Sequence, residues 1–178
     1  MNTTALLNSA SDVLAYEWEM LRGCSDWLFA HQKCRGLLVY RATAEAWLLH
    51  CRQLIEFFYG SYDEARFPGD IRLVWWFQPD SDEYNHFRKS PERNMLVSHK
   101  QRIDQHLAHL TAYRVRERLE WDTDIQEQID RLMRDFVCLA ASRIGTRLTG
   151  QAAAQRPVDS NLTISTKGGQ SEVEDISS

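Results

Sequence analysis

From Glu92 to Ile144 the chain contains neither glycine nor proline. A stretch of that length far exceeds an ordinary strand, so it reads as two helices joined by a tight turn. Three of the four prolines (Pro68, Pro79, Pro91) fall together upstream of it, and the fourth, Pro157, lies near the C-terminus. The breakers therefore divide the chain into long helical stretches, one irregular region at 60–90, and a tail.

Apolar periodicity locates the helices. Val13, Leu14, Leu21, Cys24 and Leu28 recur at helical spacing, which predicts a first helix from Ser11, as its cap, to His31. Tyr40, Trp47, Cys51, Leu54 and Phe58 predict a second from Gly36 to Gly60. Ser90-Pro91 has the form of an N-cap followed by a first-turn proline, opening a third helix with the apolar face Leu96, Ile103, Leu107 and Leu110. A fourth starts at Asp122 or Thr123, and its stripe of Ile125, Ile129, Leu132, Phe136 and Leu139 runs on to about Ile144. Four long amphipathic helices with mostly short links imply an all-α, antiparallel four-helix bundle with an irregular insertion between helices two and three. Within the insertion, Ile71 to Phe77 reads equally as a short strand, a helical turn or a lid.

Six Trp, six Tyr and seven Phe are ample filling for one core at this length. The expected organisation is a helical domain over 1–149 and an acidic tail over 150–178, too poor in large apolar groups to offset its ordering entropy and expected to be disordered. No window approaches the roughly 20 apolar residues of a membrane span, and the N-terminus lacks a basic start followed by an apolar run. A cytoplasmic protein without a membrane partner is the expectation. The cysteines Cys24, Cys34, Cys51 and Cys138 form no CxxC or CxxH pair and read as reduced and mostly packed.

Polar residues fall where a plain bundle would not put them. At about 100° per residue, Arg102, His106, His109, Tyr113 and Arg116 share one strip of the third helix, with His99 at its edge and Arg114 inside the apolar arc. Glu17 and His50 project among apolar positions of helices one and two. Such groups must pair or titrate abnormally, so Glu17, Glu45, His50 and Arg52 are expected to form a buried polar network. Between Arg88 and Arg118, eight Lys or Arg stand against three acids, a net of +5 in a chain that totals −4. A basic stripe with histidines suits a phosphate backbone, and a solvated, salt-bridged helix face would look the same.

An all-helical bundle bearing an Arg and a later His, with four to six residues lying between them, resembles the HEPN superfamily. Two pairs fit, Arg93 with His99 and Arg102 with His109. More closely, Glu45-Ala-Trp-Leu-Leu-His50-Cys-Arg52 through Phe57-Phe58, together with His109-Leu-Thr-Ala-Tyr-Arg114, resembles a group of uncharacterised bacterial helical proteins with a Glu…His-x-Arg…Phe-Phe block and a His-Leu-Thr-x-x-Arg block. The resemblance implies action on RNA, as a metal-independent endoribonuclease of a toxin–antitoxin or phage-defence type, with no cofactor. It implies Arg102, His109, His106 and Tyr113 as catalytic residues and Arg93, His99, Arg114 and Arg116 as phosphate or RNA contacts. A homodimer and an antitoxin or other protein partner follow from the same likeness. Arg93 is followed by the polar Asn94, as is frequent in that superfamily, whereas Arg102 is followed by Ile103.

Two other readings stand beside it. His106 and His109, at i and i+3, could ligate zinc or iron with His99 or Glu45, and Glu83-x-x-His86 has the form of half a di-iron motif. A carboxylate-bridged bundle requires two such motifs and two more glutamates, so no metal is expected. The remaining alternative is a non-catalytic interaction or adaptor module whose Glu-His-Arg network is structural. Phosphate-cradling glycine loops and dinucleotide fingerprints are absent.

Overall fold

The computed structural model describes residues 3–61, 70–108 and 124–153. Helices cover Thr3–Ala30 (α1), Leu38–Tyr59 (α2), Asp82–Arg88 (α3), Arg93–Ala108 (α4), Asp124–Leu139 (α5) and Thr146–Ala153 (α6). Tight 3-10 turns occupy Gln32–Cys34 and Leu73–Trp75, and no strand occurs among the described residues. The protein is all-helical.

Helix α2 is central. It packs most extensively on α1, then on α4, and also touches α5 and α3. Its buried face, Trp47, Leu48, Cys51, Leu54, Ile55 and Phe58, repeats every three or four residues as an amphipathic helix requires. Trp18 and Leu21 of α1, Leu96 and Ile103 of α4, and Ile129, Met133 and Phe136 of α5 close the core around it, all fully buried.

Several boundaries differ from expectation, each for a local reason. Helix α1 begins at Thr3, so Ser11 is interior to it; its hydroxyl donates to the Leu7 carbonyl at 2.8 Å. Helix α4 begins at Arg93, because the Ser90 hydroxyl is engaged by the Tyr59 hydroxyl at 2.7 Å and does not cap a helix. Helix α5 ends at Leu139, where Arg143 donates to the Trp76 carbonyl and turns the chain away. Helix α6 then runs to Ala153, past the expected boundary at 149; the tail from 154 on lies outside the described residues.

The region expected to interrupt the bundle in fact completes its core. Leu73, Trp76, Phe77 and Phe87 are all buried. Trp76 meets Phe136 edge-on at 5.2 Å between ring centroids, and Phe87 meets Phe58 at 5.3 Å. Such contacts add to the large area that each ring buries. Of the readings open for Ile71 to Phe77, the structure shows the helical turn: a 3-10 turn at Leu73–Trp75, packed on the helices with Leu73, Trp76 and Phe77 buried. Ser81 caps α3 by accepting from the Tyr84 amide at 3.1 Å.

Candidate functional site

The third helix of the sequence reading is α4 as far as Ala108. His109, Tyr113, Arg114 and Arg116 lie outside the described residues. Within α4, Arg102 is exposed, and His99 and His106 are half-buried on either side of it. Helical geometry sets His99 about 60° and His106 about 40° to the same side of Arg102 around the axis, one turn before it and one turn after, so the three share one edge. Arg93 is also exposed but lies about half a turn around from Arg102, on a different side of the helix.

The buried polar residues resolve into two separate arrangements. Glu17 and His50 meet across α1 and α2, with the imidazole Nδ1 2.7 Å from Oε2 and the His50 side chain only 9% exposed. Glu45 does not join them. It lies five residues before His50, about 140° away around α2, and is exposed. Arg52 turns instead toward α4, where its Nε donates to the Asp104 carboxylate at 2.5 Å.

Arg52 opens a network whose other members were not singled out in the sequence. Lys100 bridges Asp104 at 2.8 Å and Glu56 at 2.9 Å. Arg72 bonds Glu56 at 3.1 Å and Asp70 at 2.5 Å, and also donates to the Glu56 backbone carbonyl at 3.0 Å. The i,i+4 spacings Arg52–Glu56 and Lys100–Asp104 were a visible signal of charged ladders on facing helices. For Arg72, the signal was a lone cation at the start of an apolar run. Burial alone would lower the Lys100 pKa, but the hydrogen bonds that it donates to Asp104 and Glu56 outweigh it and hold the ammonium above its usual range. Burial works against the Asp104 carboxylate too, yet Lys100 and Arg52 together draw it below the usual range.

This network borders a cavity of about 600 Å³ lined by Leu14 and Glu17 of α1, Arg52 and Glu56 of α2, Arg72, and Lys100 of α4. Arg52, Arg72 and Lys100 are each held by carboxylates, and Glu17 is bonded to His50. An anion entering would have to displace those carboxylates, so the cavity is electrostatically balanced rather than anion-seeking.

A third pairing, also missed, links α1 to α5: the buried Trp18 indole donates to Asp130 at 2.6 Å. Burial pushes the Asp130 carboxyl above its ordinary range, against the pull of the Trp18 hydrogen bond. All four cysteines are free, and burial raises the thiols of Cys24 and Cys51, so neither offers a ready thiolate. Among the described residues no group of three or more His, Cys, Asp or Glu is placed to hold a metal ion. His86 of the Glu83-x-x-His86 motif instead faces Asp135 at 3.1 Å on an exposed surface. No protein-family model, curated protein or solved structure matches this chain.

Proposed function

We propose that the chain is an HEPN-like protein that acts on RNA, a metal-independent endoribonuclease working as a homodimer on an antiparallel four-helix bundle. Three features support this reading. Arg52 pairs with Asp104 while Glu56 pairs with Lys100, a register that fits α2 and α4 running in opposite directions. The cavity cations are already neutralised, which leaves the edge of α4 for phosphate. The observation that carries the reading is that edge itself: Arg102 is exposed between two half-buried imidazoles, His99 and His106.

In this mechanism His109 takes the proton of an RNA 2′-hydroxyl or returns one to the leaving 5′-oxygen, because imidazole titrates near neutrality. The 2′-oxygen forms a bond to phosphorus as the bond to the 5′-oxygen breaks, giving a cyclic phosphate. Arg102 stabilises the charge that develops on the phosphoryl oxygens, and His106 and Tyr113 orient the phosphate. Arg93, His99, Arg114 and Arg116 extend the contact along the RNA, and an antitoxin or similar protein partner restrains the activity.

The test is incubation of the purified protein with total RNA in EDTA. Cleavage that persists in EDTA and is abolished by Arg102→Ala with His109→Ala, at unchanged helicity and melting, supports the reading. Intact RNA, cleavage that EDTA stops, or unfolding of the double variant refutes it. A second reading, a non-catalytic interaction module, is favoured by the mutual pairing of Glu17 with His50 and of Arg52, Glu56, Arg72, Lys100 and Asp104, which is what a network that only fixes helix register would show.

A further inference from the structure

The turn joining α1 to α2 has a surface unlike the rest of the described residues. Between Asp26 and Glu45 the chain holds no acidic residue, while Lys33, Arg35 and Arg41 supply three cations and are all exposed. The same turn exposes large apolar side chains: Phe29 at 78%, Leu37 at 55%, Leu38 at 82% and Val39 at 52%. Leu37 is the N-cap and Leu38 the first residue of α2, and Phe29 lies in the last turn of α1, so the apolar groups gather at one end of the hairpin. Trp27 and Tyr40 stand just behind, half-buried and 6.2 Å apart between ring centroids. The hairpin end carries almost no core. Between Gly23 and Ala46 the only buried residue is Cys24.

We infer that this hairpin end docks on an anionic lipid surface. Four exposed apolar side chains are costly in water and gain by entering the acyl boundary. Trp and Tyr set back from the tip match the headgroup level, where amphipathic rings concentrate. Lys33, Arg35 and Arg41 are placed to meet lipid phosphates and serine headgroups, and the flanking acids, Asp26 in α1 and Glu45 one turn beyond Arg41 in α2, lie on the far side of them from the tip. Nucleic acid would use the cations and rings but gives Leu37, Leu38 and Val39 nothing to bury against. A second copy of this chain would set the same three cations against each other across a two-fold axis. No helix of the described residues is long and apolar enough to cross a membrane, so the contact is a surface one. It departs from the expectation of no membrane partner, which rested on the lack of a spanning segment. One such tip gives modest, reversible binding.

The experiment is co-sedimentation of the full chain with phosphatidylcholine vesicles, with and without phosphatidylserine, at low and high salt. The wild type should pellet with the serine-containing vesicles and be released by salt. Leu37→Ser with Leu38→Ser, and separately Lys33→Glu with Arg35→Glu, should each weaken binding by about tenfold or more. All four positions are exposed, and circular dichroism confirms that each variant keeps its helices. The inference is overturned if the wild type ignores anionic vesicles or if the serine variant binds them as well as wild type does. It is equally overturned if the apolar substitutions abolish concentration-dependent self-association, or the charge reversals abolish RNA binding, while lipid binding is absent.

Discussion

The link between Trp18 and Asp130 gives a prediction in which two effects of opposite sign can be separated. The Trp18 side chain is fully buried, and its single N–H donor is satisfied by Asp130 at 2.6 Å. Asp130→Ala removes the only acceptor that the indole has in this arrangement. A buried donor left unsatisfied costs about 1–3 kcal/mol, so denaturation midpoints should fall accordingly. Asp130→Asn keeps an oxygen acceptor at nearly the same place and removes the charge that burial disfavours. At pH 7 it should be as stable as wild type or more so.

The pH dependence fixes the sign independently. Burial raises the folded-state pKa of Asp130, so the group's favourable contribution is fully present below the unfolded value of about 4 and is lost as pH rises through the folded one. The asparagine variant lacks this titration, and its stability relative to wild type should therefore grow from about pH 4 to pH 7. Urea denaturation at a series of pH values reads both effects. The reasoning fails if asparagine destabilises as much as alanine, or if its relative stability declines as pH rises.

Two further stability predictions rest on single close contacts. Glu17→Ala leaves the His50 ring, 9% exposed, without its carboxylate partner, and should cost about 1–3 kcal/mol in chemical denaturation; a loss no greater than that of Glu83→Ala, at an exposed position, would show that the pair contributes little. At Gly60, where α2 ends, an added Cβ would lie 2.5 Å from the Glu56 carbonyl oxygen and 2.7 Å from the Arg72 guanidinium. Gly60→Ala should therefore destabilise by about 1–3 kcal/mol through displacement of the Arg72–Glu56 pair, and an unchanged midpoint would refute the crowding.

What the sequence revealed and what it concealed follow from the range over which each signal acts. Periodicity is local, and it placed Trp47, Cys51, Leu54 and Phe58 on the buried side of α2 and Ile125, Ile129, Leu132 and Phe136 on that of α5. It overreached only at the margins of a stripe, as with Val13 and Leu139, which are 46% and 42% exposed. Caps were less legible, since a serine hydroxyl has several competing partners: Ser11 bonds backward within its helix and Ser90 bonds Tyr59. Glu17 and His50 could be expected to pair because both project among apolar residues. The partner of Arg52 could not, for Asp104 is 52 residues away and only the register of α2 on α4 brings them together. The aromatic payload of 70–90 argued for burial more strongly than its prolines argued for a loop.

Charge density along the chain misleads for the same reason, because it counts cations without knowing which are engaged. Of the basic residues between Arg88 and Arg118, Arg88 donates to the Phe58 and Gly60 carbonyls at 3.2 Å and so closes the end of α2. Lys100 is held between Glu56 and Asp104. Arg88 keeps its charge but is tied to the end of α2, and the Lys100 charge is offset by two carboxylates, so the exposed cations along α4 are Arg102 and Arg93 rather than the full set counted in the sequence. The hairpin end between α1 and α2 reverses this logic. Its three cations are fewer, but no acid lies among them, and they surround the most exposed apolar side chains of the described residues. A count of charge along the sequence ranks it below α4, because such a count leaves out the exposed apolar side chains beside the cations, which are what a lipid surface would add to the contact.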